Sequence, residues 1–145
     1  MIKLTLGVDS FTWSPDEIGR ALGREPDRRR TKGEPFPYPP FTRKHRSSGW
    51  YLDVPVEVEY PGDGESGISA SIVALGEELA QKLSALPQDE CTVSLSIVQK
   101  VFGENDSLAL GIHLRVDAMQ WLVTAHADID LDQYFYDTPA GEREE

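Results

Sequence analysis

The chain has 145 residues, 39% of them hydrophobic, with 25 acidic against 14 basic side chains and a formal net charge of −11. This length and apolar content suit one folded domain and exclude general disorder, and the apolar runs are too short to span a bilayer. Cys91 is the single cysteine, which excludes an internal disulfide and a thiolate zinc site; a buried thiol in a cytoplasmic protein is its expected state.

Ile2, Leu4, Leu6 and Val8 alternate with Lys3, Thr5, Gly7 and Asp9, the period of a strand and not the continuous apolar run of a signal peptide. A helix start follows. Ser14 and Glu17 form an S-x-x-E capping box, Pro15 takes the first helical position, and Trp13 is set to pack on Ile18. Ile18, Ala21 and Leu22 supply the apolar face and Gly23 ends the helix, which at about nine residues needs tertiary support. Residues 24–47 contain Pro26, Pro35, Pro37, Pro39 and Pro40 with no sustained period, and read as a long loop of the kind that is either functional or disordered.

Trp50, Leu52, Val54, Val56, Val58 and Tyr60 then mark one face of a strand, which Pro55 puts at a sheet edge or breaks in two. PGDGESG is a turn. Ile68, Ile72, Leu75, Leu79, Leu83 and Leu86 recur at helical spacing and predict one amphipathic helix closed by Pro87, with Gly76 inside it costing about 1 kcal/mol relative to Ala. Cys91, Val93, Leu95 and Ile97 mark a strand. GENDS, residues 103–107, reads as a hairpin turn into a strand carrying Leu108, Leu110, Ile112 and Leu114. Asp117 is placed to cap a short helix through Met119, Trp121, Leu122 and Val123. A final strand puts Ile129, Leu131 and Phe135 on one face and Asp128, Asp130 and Asp132 on the other, before a frayed acidic tail at 138–145. The expected fold is one α+β domain over residues 1–137, a mainly antiparallel sheet of about five strands with two to three helices packed on one face.

FTWSPDEIGRALGREPDRRRTKGEP, SSGWYL and HADIDLDQYFYD together resemble the bacterial domain of unknown function 4279. That family is marked by a helix ending in Leu-Gly, a following x-Pro, a Lys-Gly pair and a Trp opening the second strand, here Leu22, Gly23, Pro26, Lys32, Gly33 and Trp50. The resemblance runs over about residues 4 to 137 and departs in the Pro-rich insertion 35–40. It brings no established chemistry. It implies, as an expectation from context, an immunity or antitoxin role in bacterial competition.

Charge divides the chain. Residues 1–50 hold 10 Lys and Arg against 6 Asp and Glu, whereas residues 51–145 hold 4 against 19. Arg28, Arg29, Arg30 and Lys32 lie in one arm of the long loop and Arg43, Lys44, His45 and Arg46 in the other. If the loop folds back they form one basic patch, either a phosphate-binding surface or internal counter-charge for the acidic remainder. The overall charge disfavours nucleic acid. Asp128, Asp130 and Asp132 stand in a row about 7 Å apart, and Asp53, Glu57 and Glu59 repeat the arrangement on the Trp50 strand. Such rows either steer a cationic protein or keep a sheet face soluble.

No catalytic or cofactor signature is present. D-I-D-L-D starts like a calcium loop, but Gln133 stands where glycine is needed and Pro139 where the bidentate glutamate is needed; His45, His113 and His126 have no ligand spacing. The sequence therefore predicts a small cytoplasmic binding protein without enzymatic activity, cofactor or metal. It would inhibit a cognate toxin through the acidic strand faces, with no membrane contact. The alternative is a phosphate- or nucleotide-binding domain or enzyme using the loop 28–46.

Overall fold

A computed structural model describes residues 1–56, 64–103 and 111–137. The chain runs β1 (Ile2–Ser10), α1 (Pro15–Leu22), β2 (Arg28–Arg30), β3 (Ser48–Val54), α2 (Gly64–Val73), α3 (Glu77–Ser84), β4 (Cys91–Phe102), α4 (Val116–Thr124) and β5 (Ala127–Tyr136). The five strands form one sheet in the order β2-β3-β1-β4-β5. Among the described residues no helix is long and apolar enough to cross a membrane.

The sheet is mixed, which corrects the expectation of a mainly antiparallel one. β1 pairs antiparallel with β3 and β4, and β2 antiparallel with β3, but β5 runs parallel to β4. The reason lies in the connection. A hairpin after β4 would have reversed the chain, but Ile112 and Leu114 lie outside any strand, and residues 104–110 are outside the described residues. Both edges of β4 are taken, by β1 along Cys91–Gln99 and by β5 along Val93–Phe102. The chain returns through α4, and a strand that returns by a helix lies parallel to the one it left.

The helix count is also corrected: the described residues hold four helices, against the two or three expected. The predicted helix over 68–86 is two helices, broken at Gly76, whose φ of 89° and ψ of 151° suit only glycine. The Gly76 carbonyl accepts the Trp121 indole N–H at 2.8 Å, so the break is tied to α4. The turn expected at residues 61–67 is already helix from Gly64 onward.

α1 follows the sequence closely. Ser14 accepts the Glu17 amide, the Glu17 carboxylate accepts the Ser14 amide, and Gly23 closes the helix at φ 66°. α4 does not: its N-cap is Arg115, and Asp117 sits in the first turn, accepting the Ala118 amide at 2.8 Å and the Arg115 guanidinium at 3.2 Å. β3 ends at Val54, one residue before Pro55, and is an interior strand between β2 and β1, so the proline breaks the run and does not mark an edge. Val58 and Tyr60, and the tail 138–145, fall outside the described residues.

One side of the sheet is covered. Leu4, Leu6, Val8, Trp50, Leu52, Val54, Val93, Leu95 and Ile97 bury against Ile18 and Leu22 of α1, Ile68 and Ile72 of α2, Leu79 and Leu83 of α3, and Trp121 and Leu122 of α4. Cys91 closes this layer, and burial pushes its thiol above the ordinary value, as expected of a structural thiol. The alternate side chains of the same strands point to the other side, which is the face that the candidate site occupies.

Candidate functional site

The strand register lays out the uncovered face row by row. Arg28, Tyr51, Gly7, Ser94 and Asp128 are successive neighbours across the five strands, and Asp53, Thr5, Ser96 and Asp130 form the next row. The centre is therefore small and polar, with a basic and aromatic flank over β2 and β3 and an acidic flank on β5.

On the basic flank, Arg28 and Arg30 point to the uncovered face while Arg29 points to the helices. Arg28 reaches Asp53 at 2.8 Å, Arg29 reaches Asp16 of α1 at 2.8 Å and Glu25 at 3.3 Å, and Arg30 reaches Asp9 at 2.9 Å. Lys32 donates to the Phe11 carbonyl at 3.0 Å. The three consecutive arginines form an edge strand whose charges are answered by the domain's own carboxylates. Between Arg28 and Arg30 lies the Tyr51 ring, with guanidinium carbons 6.0 and 5.8 Å from its centroid. The Tyr51 hydroxyl donates to Asp9 at 2.6 Å. Burial first, and then the Asp9 carboxylate, push this phenol above its ordinary value of about 10. The ring has room because Gly49 and Gly7 carry no Cβ: one at Gly49 would run into the ring, and one at Gly7 would lie 3.0 Å from it.

The acidic flank is β5. Every residue from Asp128 to Phe135 is exposed. Asp128, Asp130 and Asp132 share the uncovered face with Ser94, Ser96 and Val98, and Ile129, Leu131 and Phe135 face the helix side without being covered, at 42%, 50% and 63% exposure. Asp53 does not extend this row. It lies three strands away from Asp130, about 14 Å at the usual inter-strand spacing, and is held by Arg28. Glu57 and Glu59 lie outside the described residues.

The second arm of the loop folds back on the first. Gly33 and Phe36 amides donate to the His45 and Arg43 carbonyls, and the His45 amide donates to the Glu34 carbonyl, each at 2.9 Å. This brings Arg43, Lys44 and Arg46 beside Arg30 around a depression of about 620 Å³. The two basic clusters thus meet only there, since Arg28 and Arg29 are directed to opposite sides of the sheet. Among the described residues no cluster of three His, Cys, Asp or Glu side chains could hold a metal ion.

A family model described as Domain of unknown function (DUF4279) matches residues 1–136. The chain belongs to this family. No curated protein and no solved structure matches it. In this DUF4279 domain the residues that sequence reasoning missed are Asp9, Tyr51, Gly7 and Gly49. Two strand-interior glycines on one face were the available signal, because glycine inside a strand marks a close approach.

Proposed function

We propose that this DUF4279 domain is a protein-binding inhibitor of the immunity or antitoxin type, cytoplasmic and without chemistry of its own, that takes its partner on β5. The observation that carries the reading is that β5 is the last strand of the sheet among the described residues and is exposed along both faces from Asp128 to Phe135. A strand edge offers unpaired backbone groups to another strand, and side chains on its two faces select which strand is accepted. Here one face offers three carboxylates and the other three large apolar side chains. The complementary segment is an extended one that alternates basic and apolar residues, on a cationic protein. Carboxylate rows favour such a partner by steering and disfavour pairing of β5 with a second β5, where the aspartates would oppose one another. A basic toxin has the matching chemistry, in keeping with a chain of net charge −11.

The test is affinity capture from a lysate of the native host at low and high salt, with the wild type and Asp128→Asn/Asp130→Asn/Asp132→Asn side by side. The captured protein is then purified and titrated with each. A basic partner held by the wild type and at least tenfold weaker with the triple variant supports the reading. Equal affinity for both removes β5 from the interface and overturns it.

A further inference from the structure

The cations of this protein divide into two groups. Arg28, Arg29, Arg30, Lys82 and Arg115 each have a carboxylate within 3.3 Å. The other eight described Lys and Arg side chains have none, and of these Arg43, Lys44 and Arg46 lie together on one arm and make no side-chain hydrogen bond among the described residues. Glu34 is the only carboxylate of residues 31–47 and forms no ion pair with them.

Their backbone is fixed. The bonds of Gly33, Glu34 and Phe36 with Arg43 and His45, and the bridge between Pro35 and Lys44, make the arm a narrow two-stranded tongue. Arg30 forms part of the wall, held by Asp9 at 2.9 Å and by the Ser47 hydroxyl at 2.8 Å, and its Nε is buried without a partner. Phe36 adds an apolar wall, its ring 5.6 Å from Tyr38 and 4.6 Å, edge on, from His45. A depression of about 620 Å³ is of the size that small ligands occupy.

We infer that the depression bounded by Arg30, Phe36, Arg43, Lys44, His45 and Arg46 binds a phosphate monoester, its dianionic head among Arg43, Lys44 and Arg46 and its organic part against Phe36. Guanidinium forks match phosphate oxygens in pairs, and an ammonium adds a point charge, which is the donor set this arm carries. A nucleic acid backbone would need a run of phosphate contacts against the net charge of −11, whereas a single compact dianion needs only this cluster. Among the described residues β2 and β5 are opposite edges of the sheet, so the site is separate from the proposed protein interface and does not rest on it.

Phenyl phosphate titrated into the full-length ¹⁵N-labelled protein at low ionic strength tests this. Saturable shifts of the Phe36, Lys44 and His45 amides are expected, with affinity at least tenfold lower in Arg43→Ala/Arg46→Ala and unchanged in Arg20→Ala/Arg24→Ala, which removes two exposed charges elsewhere. Phenol at the same concentrations should leave those amides in place. Thermal unfolding of both variants, expected within a few degrees of the wild type, separates lost binding from lost fold. Non-saturating shifts, shifts spread over the surface, or equal weakening by the two double variants would overturn the site.

Discussion

Tyr51 of β3 donates its hydroxyl to Oδ1 of Asp9 on β1 at 2.6 Å, and the same oxygen accepts the Arg30 guanidinium of β2 at 2.9 Å. One carboxylate thus ties three adjacent strands together on the uncovered face. Tyr51→Phe removes one bond and should cost about 1 kcal/mol in urea unfolding. Asp9→Ala should cost more, about 2 kcal/mol, because Arg30 is left with Ser47 alone while its Nε is already unpartnered. Equal effects of the two substitutions would mean that Arg30 does not depend on Asp9.

The same contact sets a response to alkali. The Tyr51 phenol is raised in the folded state, so the native protein holds its proton where the unfolded chain has lost it. Its contribution to stability is complete below the unfolded value of about 10 and falls as pH climbs through the folded value. Spectrophotometric titration of the native protein should show one of the 5 tyrosines failing to ionise with the ordinary ones. In Tyr51→Phe that lagging component should vanish.

Gly49 is small because the Tyr51 ring lies over it. Gly49→Ala should push the ring off Asp9 and destabilise by about 1–3 kcal/mol, although alanine is ordinarily the better strand residue. In a Tyr51→Ala background the same substitution should cost almost nothing. A thermodynamic cycle over the four proteins measures the coupling, and a value near zero would place the strain elsewhere.

For Gly76 the structure reverses the sign that helix propensity gives. Inside one continuous helix, Gly76→Ala would stabilise by about 1 kcal/mol. At φ 89° it should instead destabilise, by about 1–3 kcal/mol, and disturb the Trp121 indole that donates to the Gly76 carbonyl. Thermal unfolding followed by tryptophan fluorescence reads both effects.

The aspartates of β5 have no ion-pair partner among the described residues. Replacing Asp128, Asp130 and Asp132 together by Asn should therefore leave unfolding free energy within about 0.5 kcal/mol, as for ordinary surface changes. It should also remove the repulsion that keeps two β5 edges apart. Sedimentation velocity is expected to show self-association in the triple variant at concentrations where the wild type stays unassociated.

What the sequence disclosed follows from where local chemistry decides the outcome. The α1 caps, the alternation of β1 and β4 and the two faces of β5 rest on residues close in sequence, and each was legible. β2 was not. Arg28–Arg30 have no apolar period, and they are a strand only because β3 lies alongside. The break at Gly76 was hidden because apolar spacing continues through it from Ile72 to Leu79. The direction of β5 depended on which way the chain returned from β4, a tertiary matter.

The candidate surfaces divide in the same way. The carboxylate row follows from period two and was visible, and the basic loop was visible as composition. Which arginines are neutralised was not, because Asp9 and Asp53 reach them across strands. Asp53 looked like a member of an acidic row until its partner on β2 was known.

The place of β1 at the middle of the sheet bears on how the chain reaches its native state. Leu6 has Leu52 on one side and Leu95 on the other, the second about ninety residues later in the sequence. β1 is made before either neighbour, and its second edge must wait, unpaired, until β4 has emerged from the ribosome. Loop closure over that separation makes central pairing slow compared with helix formation, so α1 can be capped well before it has a sheet to cover. During that interval Leu4, Leu6 and Val8 are the segment a chaperone would meet.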